Sequence, residues 1–305
     1  MLKYALKRVI IGVVAIFLVA AITFFLMNLV PGGPFEFEKS INPMAKAALE
    51  AKYGLDKPIM EQFGNYLKHA LQGDFGPSIK QRGREVTDII LTKFAVSARL
   101  CGITVVVALV LGVPLGCFAA IRRGKWLDNL IRVFATVGIA VPGFVLCTVT
   151  LYILGVNLRW LPTLGLTKPA NYIMPVFSLA FYPTAYIARM MRSTMLDTLG
   201  QDYVRTAESK GVPGGKVIFK HALRNAVLPV VTYIGPMMAF MMTGNFVVEQ
   251  IFVIPGLGKE FISSIINRDY TMIMGTTIFL AVILIAINVI VDIAYKIIDP
   301  RINLY

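Results

Sequence analysis

VIIGVVAIFLVAAITFFLMNLV, Val9–Val30, decides how the whole chain is read. It contains no Asp, Glu, Lys, Arg or His, and about 20 apolar residues of helix suffice to cross a bilayer's hydrocarbon core. A secretory leader would have an apolar region of only about 7–15 residues, followed by a small-residue cleavage site. Here the run is longer and Pro31-Gly32-Gly33-Pro34 follows it, so it reads as a retained first span. The same lack of charge recurs in Leu100–Ile121, Val133–Val156, Ile173–Ala188, Ala226–Val248 and Thr271–Val291. Ile173–Ala188 is short alone and reads as a tilted or partly buried span. The runs predict an all-α integral membrane protein of six transmembrane helices in one polytopic domain, 1–305. The expected spans are near 9–30, 100–121, 133–156, 173–191, 226–248 and 271–292.

Composition agrees, with 57% hydrophobic residues and a mean hydropathy of +0.71. The net charge of +13 would suit nucleic acid, but its placement points to membrane orientation. With the N-terminus inside and six alternating spans, the inner segments hold 16 basic and 6 acidic residues; the outer ones hold 14 and 11. Lys and Arg favour short cytoplasmic loops near span ends, so both termini are expected inside, with no nucleic-acid partner. Because none of the six runs contains an Asp, Glu, Lys, Arg or His, no such residue sits at midmembrane to carry a coupling proton, and energy must come from elsewhere. Cys101, Cys117 and Cys147 all fall within spans and read as packing residues. No metal-ligand cluster and no cofactor site is visible.

Residues 31–98 form the one sizeable outer segment. Asn42-Pro43 reads as a helix start and Gly54 as a stop. A second helix is expected from about Asp56 to Gly73, with Ile59, Phe63, Tyr66, Leu67, Ala70 and Leu71 on one face. Gly73–Ser78 reads as a turn, and helix should resume near Glu85. Within the spans, Pro114, Pro142, Pro175, Pro183, Pro229 and Pro236 each favour a kink. Thr243 and Asn245 add polarity to the fifth span, suiting either a translocation path or interhelical hydrogen bonds.

Between the fourth and fifth spans lies the longest inner loop, 192–225. Its segment Gln201–Lys210 reads as helix, Gly211 as its stop, and Pro213 as the first turn of a second helix with Val217, Ile218, His221 and Leu223. A helix, a glycine turn and a helix make a ledge that a soluble partner can push; basic residues resting on anionic lipid are the alternative.

The run YVRTAESKGVPGGKVIFKHALRNAVLP, Tyr203–Pro229, resembles the loop by which permease subunits of binding-protein-dependent ABC importers engage their ATPases. The superfamily loop reads Glu-Ala-Ala, three residues, then Gly; here Arg205-Thr206-Ala207 and Gly211 hold those places. Arg205 in place of Glu, and the late Leu228-Pro229, resemble the peptide/nickel subgroup, as do Lys210-Gly211 and the His221–Ala226 run. MLKYALKR, LVPGGPF, GDFGPS, VEQIFVIPGLG, NRDY and DPR follow in order and are similar to the first permease of oligopeptide or dipeptide importers.

This resemblance implies the type I ABC importer (MetI-like) permease fold, in a bacterial or archaeal cytoplasmic membrane. It also implies half of a translocation path shared with a second homologous permease, with short peptides, nickel chelates or another small solute as cargo. Implied partners are one or two cytoplasmic ABC ATPases, an extracytoplasmic substrate-binding protein, a peptide substrate and membrane lipid. Tyr203, Arg205, Thr206, Ala207, Glu208, Lys210 and Gly211 would couple to the ATPase. His221, Asn225, Leu228 and Pro229 would join the loop to the membrane.

The chain itself has no phosphate-cradling loop, because Gly214-Gly215-Lys216 lacks both the GxxxxGK spacing and a following Ser or Thr. It is therefore not expected to be an enzyme. A self-sufficient ion-coupled carrier would need midmembrane ionisable groups or broken inverted repeats. A membrane enzyme would need more than His69 and His221 to build a catalytic group.

Overall fold

The computed structural model describes residues 2–31, 33–35, 44, 51 and 54–298, with side chains except at 2–5, 243–244 and 292–298. The expected helix start at Asn42-Pro43 and the closing Asp299-Pro300-Arg301 lie outside these residues. Among the described residues every regular element is helical, apart from an isolated β-bridge between Pro77 and Glu85. The chain divides into two compact units, Met1–Ser97 with Pro255–Val289, and Ala98–Ile254 with Ile290–Tyr305.

The first unit contains α1 (Leu2–Leu29), α2 (Ile59–Ala70), the start of α3 (Val86–Ile121), α11 (Leu257–Asn267) and most of α12 (Tyr270–Ile298). One face of α1 is closed by packing: Ala20 and Phe24 are buried with Met274 and Ile278 of α12, and Phe63 of α2 lies 5.1 Å from the Phe24 ring. Elsewhere Val9, Ile10, Ile11, Val13, Val14, Leu18 and Ile22 are all exposed. An apolar surface of this extent is not left to water, and among the described residues α1, α3 and α12 are each long and apolar enough to cross a membrane, with two bent helix pairs that would each serve as one further span.

α2 falls within the expected range, and Phe63, Tyr66 and Leu67 pack as the period requires. Ile59 and Leu71, expected on the same face, are instead 49% and 89% exposed. Helical periodicity put them there, but α2 is only 12 residues long, so Ile59 is its first residue and Leu71 lies just beyond its last.

The second unit is built around α6 (Ile173–Leu199). α3 meets it through Gly112 and Gly116, where an added Cβ would come within 2.8 Å of Ile187 and 2.6 Å of the Ala188 carbonyl oxygen. This is close helix packing through small residues four apart, as in membrane helix pairs. α4 (Trp126–Ala140) meets another face through Gly138, whose Cβ would stand 2.4 Å from that of Ala185. Cys101, Ala108, Ile187, Met191 and Met195 are buried in one cluster with Ala226, Val230, Met237 and Met241 of α8 (Gly214–Ala226) and α9 (Leu228–Gly244). α10 (Phe246–Ile251) follows. All three cysteines are buried and free.

The prolines differ in effect. Pro114, Pro183 and Pro236 remain inside continuous helices, and Pro229 sits in a first turn. Pro142 breaks its run: Val141 is extended, φ −77° and ψ 122°, and α4 and the helix from Gly143 to Asn157 are bent by 102°. A residue before proline is pushed out of the α region, and Gly143 begins α5 (Gly143–Thr150) anew.

Candidate functional site

The ledge between α6 and α9 is assembled locally. α7 spans Asp202–Ser209. At its end Gly211 adopts φ +76°, its N–H donates to Glu208 O at 2.9 Å, and the Val212 N–H donates to Ala207 O at 3.2 Å. These two bonds form a Schellman motif, which uses a left-handed residue to satisfy the last helix carbonyls. Its usual apolar contact is present too: Val212 packs with buried Val204, Ala207 and Val217. Pro213 then opens α8, which widens to a π-helical turn over Val217–Ala222.

The two edges of the ledge differ. Val204 and Ala207 face the chain's own apolar cluster, whereas Arg205, Thr206, Glu208, Lys210 and Gly211 are exposed. Ala207 is thus enclosed by Val212 and Val217, within the ledge. Tyr203 is 42% exposed and its hydroxyl accepts from Asn225 Nδ2 at 2.8 Å, tying α7 to the end of α8. Thr194 Oγ1 of α6 donates to Ala226 O at 2.8 Å, a second tie. His221 and Pro229 are half-buried and Leu228 is exposed. The structure brings the residues singled out in Tyr203–Gly211 and His221–Pro229 onto one ledge.

Thr243 and Asn245 lie apart from it, at the α9–α10 junction. The side chain of Thr243 lies outside the described residues. Asn245 is buried, and its Nδ2 has no hydrogen-bond partner.

Two buried aspartates, neither expected from the sequence to be a site residue, each anchor part of one unit. Asp128, in the first turn of α4, receives Arg192 Nε at 2.6 Å and a second guanidinium nitrogen at 2.8 Å, plus the Gly124 N–H at 2.9 Å. This bidentate geometry is the strong form of an ion pair. The Arg192 guanidinium, aided by the Gly124 N–H and by Arg132, holds the Asp128 carboxyl down to about 2, against the desolvation that opposes it. Both residues flank rather than enter the apolar runs, and 64 positions separate them. Charge counting registers them only as an acid and a base.

In the first unit, Asp269 precedes α12 and accepts from the Met272 N–H at 3.2 Å, capping that helix. It also accepts from the Ser78 hydroxyl, the Ile79 N–H at 3.2 Å, the Lys80 N–H at 3.3 Å and Thr271 Oγ1 at 3.0 Å. The same Thr271 hydroxyl lies 2.9 Å from Pro77 O, so its one proton is shared between the two acceptors. The GDFGPS turn and the NRDY run therefore meet. Nearby, Tyr66 lines a cavity of about 490 Å³, and its buried hydroxyl has no partner. No group of three or more His, Cys, Asp or Glu among the described residues could hold a metal ion.

Described residues that are helical in every regular element, several of the helices long and apolar, have the build of a polytopic membrane component. The family model described as "Binding-protein-dependent transport system inner membrane component" matches residues 112–304, and the corresponding N-terminal model matches residues 1–82. The chain belongs to this family.

It is 44% identical over 305 residues to the dipeptide transport system permease protein DppB of Bacillus subtilis, covering 100% of this chain and 99% of that one. It is 40% identical to the oligopeptide transport system permease protein OppB of Haemophilus influenzae, over 99% of this chain and 100% of that one. Among solved structures, an inward-facing MetNI methionine ABC transporter chain shares its fold: TM-score 0.56 at 18% identity, covering 69% of this chain and 96% of that chain.

Proposed function

We propose that this chain is one of two similar permease subunits of an ATP-driven peptide importer, with its ledge docking on a cytoplasmic ATPase. The observation that carries the proposal is the ledge itself. It is rigid where it faces its own chain, through the Gly211 motif and the Val204–Ala207–Val217 cluster, and free along the edge of Arg205, Thr206, Glu208 and Lys210. The named substrates of DppB and OppB support short peptides as cargo. In this reading six spans and two cytoplasmic termini put the ledge on the cytoplasmic side of a bacterial cytoplasmic membrane, as the 16:6 balance of inner basic to acidic residues favours. A binding protein delivers peptide outside, a second permease completes the path, and the partner ATPases hydrolyse ATP.

The test is Gly211→Val in the complete complex reconstituted in liposomes. A β-branched side chain in the left-handed region costs at least about 1–2 kcal/mol, so the Schellman turn should open while the spans stay intact. Peptide uptake and substrate-stimulated ATP hydrolysis should fall together, at least tenfold, with peptide binding to the delivery protein unchanged. Full uptake by Gly211→Val, with a greater loss on neutralising Lys216 and Lys220, would instead mean that the ledge rests on lipid.

A further inference from the structure

α6 has a third face that neither glycine contact uses. Thr184, Ile187 and Ala188 meet α3, and Phe181 and Ala185 meet α4. Tyr182 and Tyr186, one helical turn apart, point elsewhere. Their rings stack at 6.2 Å and 17°, and the Tyr186 ring lies 4.5 Å from that of Tyr233 on α9. Tyr182 is 44% exposed, and Tyr186 and Tyr233 are half-buried. Among the described residues none of the three hydroxyls has a hydrogen-bond partner.

Their depth makes this costly in lipid. Tyr182 falls within the uncharged run Ile173–Ala188, seven residues before Arg189, or about 10 Å along the helix. Aromatic belts that leave tyrosine hydroxyls at the headgroups lie at the ends of spans. A hydroxyl left without a partner in an apolar medium costs about 1–3 kcal/mol, a cost that falls on Tyr182, whereas Tyr186 stands only three residues before Arg189. Something polar reaches this face.

We propose that Tyr182, Tyr186 and Tyr233 form a wall of the translocation path that contacts the peptide backbone, a placement that rests on the peptide-importer reading above. A phenol both donates and accepts, so it can pair with the N–H and C=O groups that every peptide carries. Its ring face takes apolar and cationic side chains alike. Having no charge, such a wall neither rejects acidic or basic peptides nor traps them, as passage requires binding weak enough to leave. A surface built this way recognises peptides as a class and is indifferent to sequence.

The experiment uses the complete transporter in liposomes with tri-alanine as probe. Tyr182→Cys and Tyr186→Cys, each with Cys101, Cys117 and Cys147 replaced by Ala, should react with a charged, water-soluble methanethiosulfonate reagent. Tri-alanine delivered during turnover should slow the reaction several-fold. The triple variant Tyr182→Phe, Tyr186→Phe, Tyr233→Phe keeps the rings and loses the hydroxyls. Its KM for tri-alanine should rise by about 2- to 10-fold per lost hydrogen bond, with the maximal rate largely kept. If the introduced cysteines ignore the soluble reagent while the parent transporter imports tri-alanine, lipid or a neighbouring subunit covers the face and the wall is refuted. Reaction at a rate indifferent to tri-alanine, with an unchanged KM in the triple Phe variant, refutes it equally. A parent that imports no peptide strikes the importer reading instead, and thiol reactivity then still reports whether the face is wet.

Discussion

Asp128 and Asp269 are both almost wholly buried, and both stand at the start of a helix, where a negative charge is welcome. Their partners divide them. Asp269 is surrounded by neutral donors, among them Ser78, Ile79, Lys80 and Met272 through hydroxyl or backbone groups. Asp128 faces a guanidinium squarely, with Arg132 3.8 Å away. The first site is a clasp whose strength lies in geometry, since it gathers backbone groups of one loop around a single acceptor. The second is a charge pair, in which each partner justifies the burial of the other.

That contrast can be broken by substitution. The largest effect is expected at the pair. Asp128→Leu leaves the Arg192 charge without compensation and should lower stability by about 3–5 kcal/mol, read as thermal unfolding of the detergent-solubilised protein. Adding Arg192→Leu should recover most of that loss, and failure to recover would show that Arg192 is not the group that makes Asp128 tolerable. At the clasp, Asp269→Ala strands several donors at about 1–3 kcal/mol for each left unsatisfied, whereas Asp269→Asn keeps an acceptor oxygen and should cost about half as much or less. Equal losses for Asn and Ala would mean that the negative charge, not the gathered donors, sustains the clasp. The smallest effect is in pH. The Asp128 carboxyl titrates near 2 when folded, below its usual 3.8. Its contribution is therefore complete above about pH 4 and declines as pH falls from 4 towards 2. Unfolding followed over that range should show the decline in the parent chain and lose that component in Asp128→Asn.

Much of the fold was legible because the bilayer writes it in a coarse alphabet. Uncharged runs marked the apolar helices, and Gly211 and Pro213 marked the turn of the ledge. The rest depends on distances that no local pattern carries. Ser78 and Asp269 lie 191 residues apart and Asp128 and Arg192 lie 64 apart, so neither partnership has a periodic signature. Pro142 and Pro183 look alike in sequence, yet one ends a helix and the other sits inside one. The difference lies in context, an extended Val141 before Pro142 and a new helix beginning at Gly143 after it. Ala207 shows the same limit within the candidate site. Nothing local in the sequence says that its side chain is enclosed within the ledge, against Val212 and Val217.

The glycine contacts on α6 also have a mechanical meaning. Gly112, Gly116 and Gly138 let two neighbouring helices approach α6 so closely that a methyl group added at any of the three would collide with it. α6 is 27 residues long, about 40 Å at 1.5 Å per residue, and Tyr182 and Leu199, beside the ledge, stand about 25 Å apart along it. One unbroken strut, braced by small-residue contacts, thus joins the tyrosine face to the ledge.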